Sequence, residues 1–143
     1  MCGFSGFITK DFKNIDPISI LKNMGDAIRH RGPDDSGEWF DFNSGVGLSH
    51  QRLSILDLSS AGHQPMHSLS GKYIIVFNGE IYNHLEIRNV LEEKGYKVNW
   101  KGHSDTETLL ASIDYLGIEE TLKSAIGMFA FALWDKEKNI LTL

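Results

Sequence analysis

The sequence predicts a layered α+β fold, on three observations. Short runs rich in Phe, Ile, Val and Trp read as strands, turn residues join most of those runs as hairpins, and three or four segments of helical period stand between groups of strands. Residues 3–9 alternate small and aromatic side chains, a strand that starts almost at the terminus and sets Cys2 at its mouth. Asp16-Pro17 starts a helix that Ile20, Leu21, Met24, Ala27 and Ile28 carry at helical spacing to about His30, and Arg31-Gly32-Pro33 ends it. Residues 38–42 and 46–53 read as two strands joined by the turn Asn43-Ser44-Gly45, and residues 57–70, rich in Ser, Gly, Pro and His, read as a loop.

Residues 72–77 are β-branched and aromatic, hence a strand. Asn83 fits an N-cap with Glu86 in capping-box position, and the Ile87, Val90 and Leu91 stripe is closed by Gly95. A short strand over 96–100 is expected next. Ser104 or Asp105 then caps a helix that buries Leu109, Leu110, Ile113 and Leu116 and stops at Gly117, and a further short helix covers 118–125. Residues 128–134 are apolar on both alternating faces, the pattern of a strand covered on both sides, and Lys136-Glu137-Lys138-Asn139 turns the chain into 140–143. No repeat or linker interrupts the chain, so residues 1–143 read as one domain. Its last residue falls in mid-strand just after a hairpin turn, which leads us to expect a truncated C-terminal end with an open sheet edge.

Composition narrows the function. The 143 residues include 14 Lys and Arg against 19 Asp and Glu, a formal charge of −5 that gives no electrostatic reason to expect nucleic acid. The longest apolar run, residues 128–134, is far short of the roughly 20 residues needed to cross a bilayer. No secretory signal is evident, and a single cysteine cannot form an internal disulfide, so a reducing, cytoplasmic location and no membrane partner are expected.

Cys2 is the first chemical candidate. A lone cysteine is more often a small buried hydrophobe, but removal of Met1 would put a free α-amine, with a pKa near ~8, on the residue that carries the thiol. General base and nucleophile would then sit on one amino acid. In Asn78-Gly79-Glu80, following a buried strand, the carboxamide of Asn78 and the N–H of Gly79 suit an oxyanion hole, although the bare tripeptide is ordinary turn chemistry. Arg52 near a strand end offers a planar fork for a carboxylate, and Asp105 at a helix start reads most simply as a cap. His63 and His67 stand four apart, but Gln64-Pro65-Met66 between them breaks any helix and no acidic or thiol ligand accompanies them, so no metal site is expected. Asp34-Asp35 reads as part of a tight turn, and neither a Walker loop nor a dinucleotide fingerprint is present.

Five motifs in order, Met1-Cys2-Gly3-Phe4-Ser5-Gly6-Phe7, Arg29-His30-Arg31-Gly32-Pro33-Asp34-Asp35-Ser36-Gly37, Ser49-His50-Gln51-Arg52-Leu53-Ser54-Ile55, Phe77-Asn78-Gly79-Glu80-Ile81-Tyr82-Asn83 and Ser104-Asp105-Thr106-Glu107, closely resemble the glutaminase domain of glutamine-hydrolysing asparagine synthetases. This is the class II, N-terminal-nucleophile, glutamine amidotransferase family. The resemblance implies a four-layer αββα sandwich of the N-terminal-nucleophile hydrolase type. It also implies hydrolysis of glutamine to glutamate and ammonia, with Cys2 as nucleophile and Asn78 and Gly79 holding the oxyanion. By the same resemblance Arg52 grips the α-carboxylate of glutamine, Asp105 and Glu80 its α-ammonium, and the backbone of Leu53, Ser54, Ile55 and Leu56 lines the pocket. An amino-acid zwitterion needs one fixed cation and one fixed anion, so the assignment and the residue chemistry agree.

The glutaminase domain needs no cofactor on this reading, whereas ATP and Mg belong to a synthetase domain that amidates aspartate and lies outside these residues. Glutamine is the expected partner, with a homodimer as a further expectation. The alternatives are an amidotransferase serving another acceptor, such as a sugar or cell-surface precursor, and an inactive fragment that only binds glutamine.

Overall fold

Ile74, Val76, Ala132 and Trp134 pack with Val46 and Leu48 on one side of a central sheet, while Tyr73, Ile75, Phe77, Phe131 and Leu133 pack on its other side. This odd–even division is the period-two alternation of strands covered on both faces. A computed structural model describes residues 2–11, 16–55 and 57–143. In chain order they form β1 (Gly3–Ile8), α1 (Pro17–Ala27), β2 (Asp35–Asp41), β3 (Val46–Arg52), β4 (Met66–His67), β5 (Tyr73–Ile81), α2 (His84–Glu93), α3 (Asp105–Leu116), α4 (Ile118–Ser124), β6 (Gly127–Asp135) and β7 (Ile140–Thr142).

The strands make two antiparallel sheets, ordered β1-β3-β2 and β4-β5-β6-β7. Val46 and Leu48 face inward, toward the second sheet. Gly47, Ser49 and Gln51 face outward under α1, which approaches closely because a Cβ on Gly25 would stand 2.6 Å from Ser49 Oγ. On the far side, Ile87 and Leu91 of α2 and Leu109, Leu110 and Ile113 of α3 cover the four-stranded sheet. The layers run helix, sheet, sheet, helices, which is the expected αββα sandwich.

Several local expectations differ from the structure. The segment 57–70 is not all loop: it holds a 3₁₀ turn at Ser60–Gly62 and β4, whose Met66 and His67 pair with Ile75 and Ile74. Asn78-Gly79-Glu80 is strand rather than turn, because β6 continues opposite it, with Gly79 against Phe129. Asp34-Asp35 is not a turn either; Asp35 opens β2 opposite Arg52, and the Asp34 carboxylate accepts the Ser54 N–H at 2.8 Å.

Residues 96–100 form no strand. Their β-forming side chains are used elsewhere, with Trp100 under the Arg88 guanidinium at 4.1 Å and its Nε1–H donating to Glu92. Asn83 occupies the N-cap position of α2 without making the cap bond. Its Nδ2 donates to the Ser124 carbonyl at 2.9 Å and its Oδ1 accepts the Ile126 N–H at 2.8 Å, which ties α2 to the chain after α4. The first helix ends at Ala27, and a 3₁₀ turn at Arg29–Arg31 follows. β6 is covered on both faces only in its second half, since Met128 is 71% exposed.

Candidate active site

Alternation places the nucleophile candidate and its neighbours. Phe4 of β1 packs into the inter-sheet core, so Cys2, two residues before it, continues the same inward row. On β3 the inward row runs Val46, Leu48, His50, Arg52, and Gly3 pairs with Gln51, which leaves Cys2 beside the end of β3. The Leu53 N–H donates to Cys2 Sγ at 3.3 Å and the thiol lies 3.6 Å from the Leu53 carbonyl, while Arg31 Nε donates to the Cys2 carbonyl at 3.1 Å. Both ends of the residue are therefore held.

Cys2, Arg52, Leu53, Ile55, Gly79, Glu80 and Asp105 line one cleft, so seven of the expected site residues converge. Asn78 flanks this cleft: it follows Ile74 and Val76 on the inter-sheet row of β5, and its Oδ1 is buried without a hydrogen-bond partner among the described residues. Ser54 stands aside with its N–H on Asp34. Leu56 and Met1 lie outside the described residues.

Arg52 is 8% exposed, and its guanidinium is fixed by backbone rather than by an acid. Nη1 donates to the Ser59 carbonyl at 2.8 Å and Nη2 to the Asp57 carbonyl. Gly62 must lack a side chain, since a Cβ there would stand 2.1 Å from Nη2. Two of five guanidinium N–H donors are used in this way, leaving charge and donors for an anion. Asp105, 6% exposed, is the first residue of α3, behind the Ser104 N-cap. Its Oδ1 accepts the Thr106 N–H at 2.8 Å and its Oδ2 the Ile81 N–H at 2.9 Å, so a buried carboxylate borders the cleft at a helix start.

β4 is too short to cover the outer edge of β5, and side chains complete it. The Phe77 N–H donates to Gln64 Oε1 at 2.7 Å, and His50 Nε2–H donates to the Phe77 carbonyl at 3.0 Å. Ile81 is held by Asp105, and Gly79, between these fixed points, projects its N–H to the same edge by strand alternation. Gly79 has φ +154°, and a Cβ on it would stand 2.3 Å from the Met128 carbonyl. Only glycine fits this approach. Burial lowers the His50 pKa from 6.5 to about 4, against the bond to Phe77, so the ring is neutral. The Ser59 hydroxyl foremost, with the His103 and Ser59 N–H groups and the charge of Arg52, holds Asp57 at about 2 against desolvation.

Asp57, Gln64 and Met128, to which sequence reasoning assigned no site role, also line the cleft, as do Ser104, Thr106 and Tyr82, which entered only as a cap or as motif members. Gln64 meets Phe77 and Thr106, and Asp57 joins its neighbour Ser59 to the distant His103, so local composition carried no signal for the long-range contacts of either. The histidines serve other ends: His63 Nδ1 meets Asp35 at 2.8 Å, and His67 packs edge-on to Trp39. No group of three or more His, Cys, Asp or Glu is placed to hold a metal among the described residues. Nor, among them, is any helix long and apolar enough to cross a membrane.

The fold matches a solved glutamine phosphoribosylpyrophosphate amidotransferase from Bacillus subtilis, with TM-score 0.72 over 94% of this chain and 35% of that one; at 18% identity this likeness speaks for the fold alone. Residues 1–143 match the family described as glutamine amidotransferase domain. Among curated relatives, asparagine synthetase [glutamine-hydrolyzing] 1 of Bacillus subtilis is 43% identical over 99% of this chain, and amidase chry2 of Gibberella zeae is 37% identical over 99%. The chain spans 22% of the length of each. It belongs to the glutamine amidotransferase domain family.

Proposed function

We propose that the chain hydrolyses glutamine to glutamate and ammonia in the cytoplasm, as the glutaminase part of an asparagine synthetase whose ATP- and magnesium-dependent amidation of aspartate lies outside these residues. One observation carries the reading: the thiol of the second residue shares a cleft with a buried, backbone-held arginine and a buried carboxylate at a helix start. Arg52 receives the α-carboxylate of glutamine, and Asp105 with Glu80 its α-ammonium. Leu53 and Ile55, with the neighbouring Ser54 and Leu56, border the bound chain.

The Cys2 sulfur attacks the side-chain carboxamide carbon while the α-amine of Cys2, free once Met1 is removed, takes the thiol proton. The carbonyl oxygen becomes an oxyanion beside the Gly79 N–H and the Asn78 carboxamide. The same amine returns the proton to the departing nitrogen, the C–N bond breaks, and ammonia leaves a thioester. Water, deprotonated by that amine, then releases glutamate and restores the thiol. Equimolar glutamate and ammonia from glutamine support this reaction, and a processed, folded chain that releases neither refutes it.

A further inference from the structure

Arg52 and Asp105 come from different parts of the chain, yet a receptor for an amino-acid zwitterion works only if its cation and anion stand at one fixed separation. Asp57 joins them. Its Oδ1 accepts the Ser59 N–H at 2.8 Å and the Ser59 hydroxyl at 2.6 Å, which fixes the turn whose Asp57 and Ser59 carbonyls hold the Arg52 guanidinium. Its Oδ2 accepts the His103 N–H at 2.8 Å, two residues before Asp105. The approach is close enough that a Cβ on Gly102 would stand 2.2 Å from that oxygen.

The same loop is held from its other side by Arg88, whose Nη1 and Nη2 donate to the Gly102 and Ser104 carbonyls at 3.0 Å each, and whose Nε donates to Thr108 Oγ1 at 2.7 Å. Loop 101–104 is thus clamped between α2 and Asp57, and the start of α3 cannot shift without breaking one clamp. Both Asp57 carboxylate oxygens are occupied by protein donors, and the side chain is 7% exposed.

We infer that Asp57 is a positioning residue that sets the separation of the carboxylate and ammonium receptors, and so determines specificity for an α-amino-acid zwitterion. The inference rests on the glutaminase reading above. It assigns Asp57 no step of the chemistry, because Cys2 and Gly79 are held by Leu53, Arg31 and the β5 edge, independently of this carboxylate.

The test compares glutamine with glutaramate, the same carboxamide acid without the α-ammonium group, on wild type, Asp57→Asn and Ser59→Ala. In Asp57→Asn the amide nitrogen turns a donor toward a donor, either His103 N–H or the Ser59 group, in both orientations. KM for glutamine is expected to rise about tenfold with kcat within about twofold, and the kcat/KM preference for glutamine over glutaramate to fall about tenfold. Ser59→Ala, which keeps the carboxylate and the His103 bond, moves the same ratio less. A merely structural role lowers both substrates together and leaves the ratio alone. An unchanged ratio in folded Asp57→Asn overturns the inference; if that variant does not fold, an unchanged ratio in Ser59→Ala does so. A wild type that neither binds nor hydrolyses glutamine is a separate result, which removes the glutaminase reading and this inference with it.

Discussion

Between the four-stranded sheet and its helices lie Tyr73, Ile75, Phe77, Ile81, Ile87, Leu91, Leu109, Leu110, Ile113 and Leu133, and the buried hydroxyls nearby are paired, Ser112 with Thr121 at 3.0 Å and Thr108 with Arg88. Between the two sheets the apolar cluster is smaller: Val46, Leu48, Ile74, Val76, Ala132 and Trp134. On its inward rows stand His50, Asn78 and Trp134, each with a buried polar atom that has no partner among the described residues. The larger, better satisfied layer supplies stability. The other layer leads, at the ends of β1 and β3, to Cys2 and Arg52, and holds polar groups in place at some cost in stability. A mutation in each layer should therefore read out differently.

The largest separation is expected from Cys2→Ala. Removal of the proposed nucleophile is expected to lower glutaminase turnover by roughly 10⁴-fold or more while the melting temperature stays near that of wild type, because Cys2 is only half-buried at a strand mouth. Gly79→Ala comes next, with kcat lower by about 10²–10³-fold, since the new Cβ drives the backbone away from Met128 and turns the N–H out of place. Steady-state kinetics beside circular dichroism would show whether catalysis falls further than folding. Leu91→Ala, in the helix-facing core, gives the reverse signature: about 2–5 kcal/mol of stability lost in denaturant titration, with kcat and KM unchanged.

The smallest effect is set by pH. The folded pKa of His50, about 4, lies below its ordinary 6.5, so between these values the unfolded chain binds the proton more readily. Stability is complete above about pH 6.5 and falls as pH drops toward 4, by about 3 kcal/mol. His50→Gln should flatten that slope. The Asp57 pKa is depressed as well, so its contribution is lost in the same direction but in a lower window, as pH falls from about 3.8 toward 2. A His50→Gln slope identical to wild type would remove the buried, neutral imidazole from the account.

Much of this was legible in the sequence. Turn residues and alternation located six of the seven strands among the described residues, and Gly95 and Gly117, both at positive φ, marked the ends of α2 and α3. Seven of the residues expected at the site line one cleft because they sit near strand ends and at a helix start, where short motifs carry positional meaning. What escaped was set by distant partners. β4 is two residues long and exists because β5 offers an edge, and residues 96–100 have strand-forming side chains but no edge to join. Asn83 satisfies a cap pattern, yet finds stronger bonds to Ser124 and Ile126 from 41 and 43 residues away. Asp57 and Gln64 likewise acquire their roles only when loop, strand edge and helix start meet.

The proposed mechanism puts base and nucleophile together on Cys2, so glutaminase rate and N-terminal mass should be measured on the same sample, across preparations in which Met1 is removed or retained. Turnover is expected to follow the fraction of chains that begin at Cys2. Equal turnover from chains that still carry Met1 would contradict it.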